Sequence, residues 1–121
     1  MNEPSLSIRV VPDGCSLTLY LAGEVDLATV GTLRACLDDI DGGFRSVVLD
    51  LAEVTFLDSS GLGTLAQAAR GLEPGTRTLL LRGPRSNVQH VLEMSGITRL
   101  LPIVPSAADA PESGDATEPA S

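Results

Sequence analysis

Along the chain the spacing of apolar residues changes several times, and each change marks a new element. Leu6 to Val11 and Cys15 to Ala22 are short and β-prone, and in the second run Leu17, Leu19 and Leu21 alternate with Thr18 and Tyr20. That two-residue period belongs to a strand with one buried face. The tripeptide "PDG" between the runs is a turn signal, so together they predict a β-hairpin. After "GEVD" the period lengthens: Val30, Leu33, Leu37 and Ile40 recur three or four residues apart. This spacing predicts a helix, with Asp26 placed to cap its start and Gly42 to end it. The consecutive apolar residues within Arg45 to Leu51 predict a buried strand. Leu62, Leu65, Ala66 and Ala69 then mark one face of a second amphipathic helix, stopped by Gly71 and "EPG". Arg77 to Arg82 predicts another strand. A capping box over Ser86 to Gln89 announces a third helix, with Val88, Val91 and Leu92 inward and Gly96 at its end. Thr98 to Val104 predicts a last short strand.

The resulting order is β-β-α-β-α-β-α-β. Strands joined through a helix lie parallel with a right-handed crossover, so the last three strands form a parallel set that the hairpin extends in a mixed sense. The expected fold class is α/β: a single-domain mixed sheet of about five strands with helices packed on it. A length of 121 residues with 43% hydrophobic content suits one compact domain, expected over residues 1–104. From Pro105 the sequence "PSAADAPESGDATEPAS" is small, acidic and Pro-containing, which predicts a disordered acidic tail over 105–121.

Charge narrows the range of functions. The net charge is −8, and Asp109, Glu112, Asp115 and Glu118 supply four of the acids in the tail. The eight basic residues are all Arg and are scattered, which argues against a nucleic-acid surface. An aromatic content of 2% leaves no platform for stacking bases. Cys15, Cys36 and His90 are far apart in sequence and form no zinc motif, and both cysteines read as small buried apolar residues. No apolar run approaches the roughly 20 residues of a membrane helix, and no signal peptide opens the chain, so a cytosolic protein without membrane partner or cofactor is expected.

The densest chemistry lies in "LDLAEVTFLDSSGLGTLAQAAR", Leu49 to Arg70, where an acid, two serines and two glycines precede a helix. Asp58 or Ser59 can serve simply as the helix cap. "GLGTLA", Gly61 to Ala66, formally matches a dinucleotide-binding fingerprint. Yet about nine residues separate Leu51 from Gly61, and no acid follows at the distance that holds a ribose. A serine hydrolase lacks its G-x-S-x-G elbow, with His90 the sole histidine to act as base. The remaining reading is a serine that accepts a phosphate. At a helix N-terminus a hydroxyl is exposed, and a phosphate there meets backbone N–H groups and the positive end of the helix dipole. Either Ser59 or Ser60 could be that hydroxyl.

"GEVD" at Gly23–Asp26, "VVLDLAEVTFLDSSGLGTL" at Val47–Leu65 and "VLEMSGITRLLPI" at Val91–Ile103 together resemble a STAS domain of the bacterial anti-sigma factor antagonist family. The resemblance implies that Ser59 is the phosphorylation site and that Asp26 contacts the kinase partner. Asp58, Ser60, Gly61, Leu62 and Gly63 complete the expected partner-binding surface. It implies two partners: an anti-sigma factor that is also a serine kinase with a histidine-kinase-like ATP fold, and a PP2C-type serine phosphatase. The unphosphorylated antagonist of that family sequesters the anti-sigma factor and frees a sigma factor, without catalysis of its own. Family members usually end in a further helix, whereas here the segment after the last strand has little apolar content beyond one possible turn at Ser106–Ala110. Two rivals stand beside this reading: an interaction scaffold that is never phosphorylated, and a nucleotide-binding enzyme.

Overall fold

The computed structural model describes residues 6–40, 42–72, 75 and 77–106. Its elements run β1 (Leu6–Asp13), β2 (Ser16–Val25), α1 (Val30–Asp38), β3 (Ser46–Leu57), α2 (Ser59–Arg70), β4 (Thr78–Arg82), α3 (Ser86–Ser95), a 3₁₀ turn (Ile97–Arg99) and β5 (Ile103–Val104). The strands form one sheet in the order β1-β2-β3-β4-β5. β1 is antiparallel to β2, and the other neighbours are parallel. This is the expected mixed α/β sheet. The tail expectation for residues 107–121, like the possible turn running to Ala110, lies outside the described residues.

The hairpin turns at Gly14 and Cys15, between the paired Asp13 and Ser16. Gly14 has φ +62, and among the described residues no non-Gly residue has positive φ, so the glycine fills the first central place of a tight two-residue turn. Cys15 is therefore exposed at the tip and Cys36 is only half-buried on α1, contrary to the buried roles expected of both. Burial and the nearby Asp39 charge raise the Cys36 thiol pKa above its ordinary value.

Every parallel crossover joins neighbouring strands in one direction. Right-handed connections of that kind put all the helices on the same face of the sheet. On this face Leu17, Val47 and Leu79 form one row and Leu19, Leu49 and Leu81 the next. They share a single core with Leu33 of α1, Leu65 of α2 and Val88 and Leu92 of α3. Each such leucine contributes about 1.5–3 kcal/mol when withdrawn from water. On α2 the inner stripe also includes Gly61 and Thr64, whose hydroxyl is satisfied by donating to the Ser60 carbonyl at 3.1 Å.

Several boundaries differ from expectation. β3 continues to Leu57, because two one-residue bulges interrupt its register with β2, between Tyr20 and Ala22 and between Gly23 and Glu24. Each bulge restores an apolar residue to the core side, so Leu51, Val54 and Leu57 are all buried although three residues apart. α1 ends at Asp38, before Ile40 and Gly42. At α3 the N-cap is Arg85, whose side chain makes no bond to the helix's free N–H groups, and Gln89 Nε2 donates to Glu93 rather than reaching back, so no capping box forms at Ser86. Ile97–Arg99 winds into the 3₁₀ turn, leaving β5 only Ile103 and Val104.

Candidate functional site

The site lies at the carboxyl end of β2 and β3. Val25 pairs with Leu57, and the Asp58 N–H donates to the Val25 carbonyl at 3.1 Å, so the two chains leave the sheet side by side. One proceeds through Asp26 towards α1, the other through Asp58 into α2.

Asp26 does not cap α1 directly. Its Oδ1 accepts from the N–H groups of Ala28 and Thr29 at 3.0 and 3.1 Å, and its carbonyl accepts from Val30 at 2.8 Å. The carboxylate thus holds a turn that precedes the helix, which starts at Val30. Thr29, buried beneath, donates its hydroxyl to the Glu24 carbonyl at 2.8 Å and accepts from Asp26 N–H at 3.0 Å. These bonds fix Asp26 on the molecule's surface.

Asp58 is the cap of α2. Its backbone is extended, and its Oδ1 accepts from the N–H groups of Ser60 at 2.9 Å and Gly61 at 3.3 Å, while its carbonyl accepts from Leu62 at 3.0 Å. Ser60 also donates its hydroxyl to the same carboxylate oxygen. The Ser60 hydroxyl, with the N–H groups of Gly61 and Ser60, holds the Asp58 carboxyl below the usual carboxylate range. Ser59 is the first residue of α2; it is exposed, and among the described residues its hydroxyl makes no hydrogen bond. Geometry thus separates the two serines, which sequence alone left equivalent. One is engaged in the cap and the other is free.

The same bonds remove the phosphate-cradle reading on different grounds from the spacing. β3 reaches Leu57, so Gly61 and Gly63 already lie within α2, and the N–H groups of Ser60, Gly61 and Leu62 are all taken by Asp58. A phosphate on Ser59 would accordingly meet a carboxylate before it met vacant N–H groups. His90 is exposed on α3 and bonds to neither serine.

The glycines differ in what they do. A Cβ on Gly61 would stand 2.5 Å from Leu57 Cδ1 and 2.7 Å from Val25 Cγ1, so this glycine lets the head of α2 press onto the strand ends. Gly63 is exposed, with nothing within 4 Å of an added Cβ. Leu62 between them is half-buried against the core. Of the residues expected to meet a partner, Gly61 is covered, while Ser59 and Gly63 are exposed and Asp26, Asp58 and Ser60 partly so.

Two residues at this end escaped the sequence reading. Leu27, 79% exposed, follows Asp26, and Phe56, 48% exposed, precedes Leu57. Leu27 keeps the three-residue step to Val30 but lies in the turn ahead of α1, and Phe56 falls outside the strand alternation, so the sequence pattern marked neither as exposed. They place apolar surface beside the acids and Ser59. No described helix is long and apolar enough to cross a membrane.

Comparison with known proteins bears on this arrangement. The family model of the STAS domain matches residues 7–110. The anti-sigma-B factor antagonist of Staphylococcus aureus (strain NCTC 8325 / PS 47) is 26% identical over 98 residues, covering 80% of this chain and 91% of that protein. The crystal structure of an anti-sigma factor antagonist from Mycobacterium paratuberculosis superposes with a TM-score of 0.75 at 25% identity, covering 89% of this chain and 92% of that one. The unphosphorylated form of the anti-sigma factor antagonist SpoIIAA shares the fold, with a TM-score of 0.65 at 22% identity over 80% of this chain and 87% of its own.

Proposed function

The chain belongs to the STAS domain family, and from that premise we propose that it is an anti-sigma factor antagonist, a binding switch set by phosphorylation of Ser59. Unphosphorylated, it holds an anti-sigma factor and so leaves a sigma factor free. The partner is itself the serine kinase, with a histidine-kinase-like ATP fold, and a PP2C-type phosphatase reverses the modification. The protein acts in the cytoplasm and binds rather than catalyses.

The observation that carries this reading is the division of labour between Asp58, Ser60 and Ser59. Asp58 and Ser60 close the cap between them, and the Ser59 hydroxyl stays outside it. Because Ser59 takes no part in the bonds that start α2, a phosphate there leaves the helix standing. Its charge of about −2 acts on what docks against Asp26, Asp58, Ser60, Leu62 and Gly63, with Gly61 holding the surface in place from below. Against a partner carboxylate ~6 Å away, at an effective dielectric between water and ~20, the repulsion is roughly 1–5 kcal/mol, or about tenfold to several-thousandfold in affinity. One phosphate suffices to release the partner.

Incubation with the cognate kinase and ATP tests the assignment by intact mass. Wild type and Ser60→Ala gain one phosphate and Ser59→Ala gains none; a phosphate on Ser59→Ala refutes the site.

A further inference from the structure

The two edges of the sheet are unequal. At one edge β5 has two residues, whereas at the other β1 has eight, paired with β2 in unbroken register from Leu6 to Asp13. Long regular edges are ready to pair with another strand, and proteins guard them with lysine, proline, bulges or a covering segment. Among the described residues β1 has no lysine, no bulge and no strand on its outer side, and its one guard is Pro12 near the turn. The turn fixes which groups that edge presents. Asp13 and Ser16 close the two-residue loop as a hydrogen-bonded pair, so by the alternation of an antiparallel ladder Val11 and Arg9 also turn their N–H and C=O groups to β2. The Cys15 carbonyl, which accepts from Arg45 N–H at 2.7 Å on the β3 side, has the orientation this alternation requires. Ile8 and Val10 therefore direct their N–H and C=O groups outward, and Pro12 its carbonyl alone.

Side chains beside this edge are also uncovered. On the helix side Val10 is 47% exposed and Pro12 is exposed, and with Ile40 and Phe44 they line a groove of about 380 Å³ next to α1. On the open face, away from the helices, Arg9 lies over the Tyr20 ring, 4.5 Å from its centre, and Asp13 is exposed. Among the described residues neither Arg9 nor Asp13 makes an ion pair. Two opposite charges thus stand four residues apart on one face of the edge strand, an arrangement that an antiparallel copy of the same strand complements.

We propose that this edge is an interface with a second copy of the chain, β1 pairing antiparallel with β1 about a two-fold axis at Val10 so that the two sheets become one. In this register Val10 exchanges both its bonds with Val10 of the second copy, and each Ile8 N–H donates to the other copy's Pro12 carbonyl. Arg9 falls opposite Val11 of the second copy and diagonal to its Asp13, about 7–8 Å away along the backbone and within reach of a long side chain. The neighbouring registers are worse. An axis at Arg9 sets the two guanidinium groups opposite each other. An axis at Val11 loses the Val10 pair and leaves only the bonds from Val10 N–H to Pro12. An axis at Ile8 takes Asp13 out of reach of Arg9 and needs the buried Leu6 at the join. Charge and proline therefore select the same pairing. On the helix side the two Val10 side chains meet between the two grooves, and apolar surface leaves water. The axis is perpendicular to the joined sheet, so the two Ser59 poles point to opposite ends and both stay open. The interface is independent of the function proposed for Ser59.

Sedimentation equilibrium of the full chain, from micromolar to sub-millimolar concentration, tests the interface. Wild type passes from the mass of a monomer to that of a dimer. Arg9→Asp sets a like charge against Asp13 of the second copy and Asp13→Arg does the same to Arg9, so each single reversal weakens the dimer about tenfold or more, while the double reversal recovers it to within a few-fold of wild type. Val10→Lys places a charge at the axis and keeps the chain monomeric, with the thermal midpoint of the wild-type monomer retained. Hydrogen exchange reads the strand itself: the amides of Ile8 and Val10 gain protection as protein concentration rises, and those of Arg9 and Val11, already bonded within the hairpin, do not. A wild type that stays monomeric at sub-millimolar concentration overturns the proposal. So does a dimer that survives Val10→Lys, or one that the double reversal fails to recover.

Discussion

Two glycines two residues apart on α2 face opposite environments, and their substitution separates packing from helix propensity. Gly63→Ala adds a methyl in open space within a helix, and an increase in stability of about 0.5–1 kcal/mol is expected. Gly61→Ala gains the same propensity but drives its methyl into Val25 and Leu57. Val25 is β-branched and cannot swing aside, so a net loss of about 1–3 kcal/mol is expected. Urea unfolding of the two variants should move the midpoint in opposite directions. The cap makes a second residue-scale prediction. Asp58 has a lowered pKa in the folded state, so its contribution is complete above the ordinary carboxylate range and is lost as pH falls through the folded value, below about 3.9. Ser60→Ala removes the leading cause of that shift. A carboxyl NMR titration should find the Asp58 midpoint higher in Ser60→Ala than in wild type, with loss of the cap beginning at higher pH.

At the scale of elements, β3 shows how far the sequence could be read. Alternation and consecutive apolar residues located the hairpin, β3 and β4, and the helical stripes located α1, α2 and α3. The reading of β3 stopped at Leu51 because the two bulges shift its inward positions from every second residue to every third, and a spacing of three within a strand matches no strand template. The same limit hid the burial of Gly61, which depends on strand ends that meet only in the fold. That Asp58 rather than Ser59 caps α2 was also beyond the sequence, since both types are good caps. β3 and β4 are joined on the open face by the Arg82–Asp50 pair at 2.9 Å, with the other Asp50 oxygen accepting from Ala52 at the first bulge. Arg82→Met leaves that buried carboxylate without its cation, and a loss of about 1–3 kcal/mol is expected in urea unfolding.

For the whole molecule, the arrangement divides a packed body from the pole that carries the proposed phosphorylation site. The core is one cluster on the helix side, and no atom of Ser59 contributes to it. Ser59→Glu should therefore leave the thermal midpoint within the range of ordinary surface substitutions, about 0.5 kcal/mol either way. Affinity for the anti-sigma factor should fall at least several-fold, as read by calorimetry. Equal affinity of wild type and Ser59→Glu would favour the unphosphorylated scaffold.

The saturated cap at the head of α2 also bears on timing. With the donors of Ser60, Gly61 and Leu62 already claimed by Asp58, a phosphate on Ser59 would find these three N–H groups occupied. If Ser59 is the acceptor, as proposed, the protein would keep no history of its modification. On the proposed reading, how long a signal lasts would be set by the kinase and the phosphatase alone, and affinity would return as soon as the ester is cleaved.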